Sequence, residues 1–88
     1  MTLTENQTAA MTALIKSCLD GMGGSTLADL QADPFTWVDA ADLKDAGWGQ
    51  KEAEGTFGSL VAAGLVWDNG DNDFYIDHDW DELAKYHA

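Results

Sequence analysis

Arginine is missing altogether from this 88-residue chain, and only four lysines (Lys16, Lys44, Lys51 and Lys85) stand against sixteen acids, for a formal net charge of −12. Guanidinium groups make the bidentate contacts to phosphate and guanine on which nucleic-acid readers depend, so their absence argues against that class of function. A charge of −12 on a body of 9.5 kDa also repels polyanions at a distance. Cysteine is nearly absent too. Cys18 stands alone, which excludes an internal disulfide framework and fits a reducing compartment. No run of apolar residues approaches the ~18 needed for a membrane span, and the start of the chain lacks a basic region followed by an apolar one, so a cytoplasmic location without membrane association is expected. Both histidines, His78 and His87, lie near the end of the chain, and Cys18, Ser17, Ser25 and Ser59 are the other candidate nucleophiles. No spacing pairs them, Cys18 falls on a core face, and a non-enzymatic protein without cofactor or catalytic residues is expected.

What is present points to one folded domain spanning residues 1–88. The apolar fraction of 45% and four tryptophans supply a core, and turn residues fall between periodic segments instead of forming polar tracts. Thr4 with Gln7 forms a capping-box pattern ahead of Met11, Leu14, Ile15, Cys18 and Leu19, which predicts a helix from about Glu5 to Asp20. Gly21, Gly23 and Gly24 end it, and Ser25 or Thr26 caps a short helix closed by Asp33-Pro34. An extended piece over Phe35 to Val38 follows, then a two-turn helix capped by Asp39 with Asp42 at its third position and stopped at Gly47. A longer helix, about Gln50 to Ala63, carries Ala53, Phe57, Leu60 and Val61 on its inner side. Leu65 to Trp67 and Phe74 to Ile76 read as strands joined by a turn within Asp68 to Asp73, and Asp79 caps a last short helix with Glu82 at its third position. The aromatics Phe35, Trp37, Trp48, Trp67, Tyr75 and Trp80 are expected to form the core around the hairpin.

The fold class is therefore mostly α with a small antiparallel β-hairpin. Helix, short strand, helix, tight turn, helix and hairpin is the order of a winged helix-turn-helix domain. The run Val38-Asp39-Ala40-Ala41-Asp42-Leu43 resembles the opening of the motif's first helix, Gly47 sits in its turn, and Thr56, Leu60 and Gly64-Leu65-Val66 resemble a recognition helix running into a wing. The chain is thus similar to that superfamily, nearest to its MarR-like branch, over about residues 35–77. The resemblance implies a recognition helix at Gln50 to Ala63 set in the DNA major groove and a wing touching phosphates. Charge conflicts with that expectation: three Asp and one Lys in residues 39–46, two Glu and one Lys in 50–64, and four Asp in 65–77 leave this face at −7. DNA affinity comes largely from cations that displace counterions at several phosphates, which Lys44 and Lys51 cannot supply.

With Phe57 inward, the helical period turns Glu52, Gly55, Ser59, Ala62 and Ala63 outward with Lys51 and Gly58 at the flank. Gly55 and Gly58 each cost up to ~1 kcal/mol against alanine, which calls either for close approach by a partner or for tight internal packing. The expected partner-binding surface joins Lys51, Glu52, Gly55, Ser59 and Ala62 to the acidic turn at Asp68, Asp71 and Asp73. The favoured reading is an acidic module that binds a protein with a basic surface, in the manner of DNA-mimic or phage and mobile-element inhibitors. The alternatives are a winged-helix transcriptional regulator, salt-adapted or dimeric, and a structural subunit of a larger assembly; homodimerisation stays open. Gly21 to Thr26 lacks the lysine of a phosphate-binding loop, and a Ca²⁺ loop started at Asp71 would put Ile76 where glycine is needed, so no metal site is expected.

Overall fold

Thr4 starts the first helix because its side chain and that of Gln7 satisfy each other's backbone: Gln7 N–H donates to Thr4 Oγ1 (3.1 Å) and Thr4 N–H to Gln7 Oε1 (2.9 Å). The computed structural model describes residues 4–32, 36–71, 73–77 and 79–86. Helix α1 is Glu5–Met22, two residues longer than its sequence predicts, because Gly21 continues the helix and Gly23 ends it. Helix α2 is Leu27–Ala32; Thr26 accepts from Asp29 N–H, while the Asp29 carboxylate accepts from the N–H groups of Ser25 (3.0 Å) and Thr26 (3.1 Å). The expected stop at Asp33-Pro34, Phe35, Asn72 and both histidines fall outside the described residues.

Strand β1 is Trp37–Val38, and helix α3 is Ala40–Asp45. The expected cap of α3 is present: Asp39 accepts from Ala41 N–H at 2.7 Å, and Asp42 accepts from Asp39 N–H at 2.8 Å. Gly47, at φ 102°, adopts the left-handed conformation that stops α3 and lets Trp48 N–H reach Leu43 O (3.0 Å), turning the chain into α4, Gln50–Ala62. Gly64 does the same at φ 81°, with Leu65 N–H on Leu60 O (3.1 Å), and delivers the chain to β2, Val66–Asp68. Leu65, expected in this strand, is a bend instead because it completes that stop. Strand β3 is Phe74–Ile76 and helix α5 is Trp80–Leu83, where Asp79 accepts from Glu82 N–H at 3.2 Å.

The three strands form one antiparallel sheet in the order β1-β3-β2, with Trp37 opposite Tyr75 and Trp67 opposite Tyr75. One core runs through the molecule: Met11, Leu14, Ile15 and Leu19 of α1 meet Leu30, Leu43, Ala53, Phe57 and Leu60 of the following helices, Val38, Val66 and Ile76 of the sheet, and Leu83 with Tyr86. Thr12 O–H donates to Tyr86 O (2.8 Å), and Ser17 O–H to the Asp42 carboxylate (3.1 Å), so α1 is tied both to the segment after α5 and to α3.

The expected aromatic core needs correction. Trp37 and Trp67 are each 50% exposed. Side chains alternate along a strand, and the inward positions belong to Val38, Val66 and Ile76, which leaves Trp37, Trp67 and Tyr75 on the outer face. Among the described residues, no helix is long and apolar enough to cross a membrane.

Candidate protein-binding surface

Helix α4 packs between α1 and α3 and against β2. Its inner arc holds Ala53, Phe57 and Leu60, and Phe57 meets Phe74 of β3 edge to face, with ring centroids 5.1 Å apart at 89°. On the α3 side of this pair the surface opens into a groove of about 510 Å³. Its floor is Phe57, Gly58, Val61 and Phe74, its far wall the start of α3 at Ala40 and Ala41, and carboxylates stand at its rim at Asp39 and Glu54. Glu54 pairs with Lys44 of α3 at 3.4 Å, at the surface.

The residues singled out from sequence are only partly brought together here. Glu52, Gly55 and Ala62 are exposed on α4, as is Lys51 at its start. Ser59 departs from the expectation: it is half-buried, accepts from the Gln7 side-chain N–H (3.3 Å) and donates to Thr56 O (2.7 Å), because α1 covers that flank of the helix. Asp68, Asp71 and Asp73 are exposed around the hairpin turn, where Gly70 and Asp71 both have positive φ and Gly70 N–H donates to the Asp68 carboxylate at 2.8 Å. Gly58, placed at the flank by the helical period, proves to be the glycine that lines the groove.

The glycines are now separable from internal packing. Among the described residues, a Cβ built on Gly55 or on Gly58 meets nothing within 4 Å, so neither position is kept small by one of them. The remaining reason advanced from sequence, approach by an outside surface, has room at Gly58 and also at Gly55.

Three of the candidate nucleophiles, Cys18, Ser17 and Ser59, are buried or engaged. The Cys18 thiol is buried, and that burial, followed by the nearby Asp42 carboxylate, pushes its pKa up to about 12; its S–H points weakly at Trp37 O. Ser17 is engaged with Asp42 and Ser59 with Thr56. Among the described residues, no group of three or more His, Cys, Asp or Glu side chains lies close enough to hold a metal ion. The carboxylates are distributed instead: only two ion pairs, Lys44–Glu54 and Lys85–Glu82 (2.9 Å), occur among the described residues, both at the surface. The signal that could have found the groove is the coincidence of Phe57, Gly58 and Val61 with a β-strand phenylalanine, but it depends on which strand neighbours α4. In comparison with known proteins, the chain matches no family model, no curated protein and no solved structure.

Proposed function

We propose that this chain is a non-enzymatic protein-binding module that seats an apolar side chain of a basic partner in the groove between α3, α4 and β3, and so competes with the nucleic acid that partner binds. The observation that carries this reading is the groove itself. Phe57, Val61 and Phe74 offer an open apolar surface beside a helical glycine with no packing role, and Asp39 and Glu54 stand at the rim. Interfaces gain most of their affinity from such a central apolar seat, whereas charge around it mainly accelerates encounter and selects the sign of the partner. A net charge of −12 selects a cationic one.

The element order α1-α2-β1-α3-α4-β2-β3-α5, in which β1, α3, α4 and the β2-β3 hairpin follow one another, with sheet order β1-β3-β2, favours a second reading, a winged-helix regulator in which α4 enters DNA. The lack of arginine and the acidic turn at Asp68, Asp71 and Asp73 weigh against it.

Two measurements decide. The chain alone should give no gel shift of duplex DNA at low micromolar concentration in ~150 mM salt, where non-specific binders reach ~10⁻⁴ to 10⁻⁶ M; a shift competed by unlabelled specific DNA would establish the regulator instead. A protein captured on the immobilised chain should lose its nucleic-acid binding on capture, and Gly58→Gln, which fills the groove, should abolish the capture. A partner that keeps its nucleic acid, or binds the Gly58→Gln variant equally well, refutes the module as stated.

A further inference from the structure

The two half-exposed tryptophans are not scattered. Trp37 on β1 and Trp67 on β2 both pair with Tyr75 on the central strand, so the three side chains form one row across the outer face of the sheet. The rings of Trp37 and Tyr75 lie 5.8 Å apart with their planes at 74°, which gives the row two walls of different orientation. None of the three residues lines the groove described above. Large aromatic side chains grouped on one surface mark a contact site far more often than isolated ones do.

Charge narrows what could cover this row. Trp37 also walls a depression of about 410 Å³ shared with Asp39, Asp42 and Asp73. Asp73 and Asp77 flank β3 immediately before and after it, each two residues from Tyr75. The four lysines lie on α1, α3, α4 and the segment after α5, so none is on a strand of the sheet. Aromatic faces bordered by carboxylates attract cations and repel phosphates, and a base-stacking platform needs the opposite charge. A second copy of the chain fits poorly: half of each tryptophan together with the tyrosine exposes roughly 300 Å², against about 800 Å² per partner in a stable interface, and each copy carries −12. Arginine suits the row better than lysine, because its planar guanidinium stacks on aromatic faces and is weakly hydrated. Three strands ~4.8 Å apart make the row about 10 Å long, which an extended segment spans with arginines two or three residues apart.

We propose that the row Trp37–Tyr75–Trp67 is a docking strip for an arginine-bearing extended segment of a partner protein. The strip adjoins the groove, since Asp39 and Phe74 border both the groove and the depression beside Trp37, but its three aromatic side chains are not part of the groove's lining and the strip stands whether or not the groove reading does.

The test uses the full chain with two ten-residue peptides of equal charge, one alternating arginine with glycine and one alternating lysine with glycine, in ~150 mM salt. Indole N–H signals followed by NMR should move for Trp37 and Trp67 and stay in place for Trp48 and Trp80, with the arginine peptide binding more tightly. Trp37→Gln and Trp67→Gln should each weaken that peptide roughly two- to fivefold, and Gly58→Gln should leave it unchanged. Equal affinity for both peptides with unmoved Trp37 and Trp67 signals would reduce the effect to net charge and overturn the strip. Self-association relieved by Trp37→Gln would assign the row to a second copy, and tighter binding of a ten-nucleotide single strand would assign it to bases; either result also overturns the proposal. The indole readout needs no variant, so it holds even if a substitution unfolds the edge strands.

Discussion

Replacing Gly55 and Gly58 with alanine should stabilise the protein. Each lies inside α4, away from its ends, and a Cβ at either position meets nothing within 4 Å, so the substitution introduces no clash. Only the backbone effect remains: glycine in a helix interior costs about 0.5–1 kcal/mol relative to alanine. The double variant should therefore gain about 1–2 kcal/mol, and at ~4–8 °C per kcal/mol for a domain of this size its thermal midpoint should rise by at least ~4 °C. Melts by circular dichroism or calorimetry at fixed salt would measure this. An unchanged or lowered midpoint would mean that α4 is not a regular helix at these positions or that the glycines do serve internal packing, and the reasoning would fail. The same variants separate stability from use: Gly58→Ala narrows the groove floor and should weaken partner capture even as the fold tightens, a trade expected where a residue is retained for function.

Asp39→Ala removes the side-chain cap of α3 and should cost about 1 kcal/mol, visible as a melting midpoint lowered by several degrees, while Asp39→Asn should recover most of it. Cys18 and Tyr86 predict a loss of stability in alkali. Burial raises both groups to about 12, and a hydrogen bond to the Glu82 carboxylate assists at Tyr86; the unfolded chain releases these protons first, near pH 8.5 and 10, so stability is intact below that window and falls as pH climbs through it towards 12. Urea midpoints between pH 8 and 11 should decline, and Cys18→Ala should flatten the onset; a midpoint that holds steady contradicts the buried thiol. Because only two ion pairs occur among the described residues of a chain with sixteen acids, the thermal midpoint should rise as NaCl goes from about 10 to 500 mM, over which the Debye length shrinks from roughly 30 to 4 Å; a flat or falling midpoint would show that the carboxylates are neutralised some other way.

Helix starts were legible in the sequence because capping is local. Thr4 with Gln7, Asp39 with Asp42 and Asp79 with Glu82 all act over three residues, and all three make the expected contacts. The hairpin was legible for the same reason, through the Asp68 to Asp73 turn. Strand facing was not. Two- and three-residue strands contain too little of a period to say which side is buried, so Trp37 and Trp67 read as core when Val38, Val66 and Ile76 occupy it. Ser59 shows the matching limit in a helix: the angle from Phe57 is computable, but α4 is flanked by α1 as well as α3, and the buried arc is therefore wider than one stripe. The groove lies one step further out of reach, since it needs Phe74 to arrive beside Phe57 from a strand seventeen positions later.

The caps also divide the helices by what can switch them off. Helix α1 is held at its start by Thr4 and Gln7, neither of which takes up a proton. Helices α2, α3 and α5 start on carboxylates: Asp29, kept below the usual carboxylate range by the N–H groups of Ser25 and Thr26, then Asp39 with Asp42, and Asp79. These three helices are four to six residues long, too short to persist without tertiary support, whereas α1 has eighteen. Protonation weakens the bonds a carboxylate accepts from backbone N–H groups. Acid therefore loosens α2 at the end that begins it, through Asp29, whereas the cap of α1, the helix that carries Met11, Leu14 and Ile15 into the core, has no proton to gain.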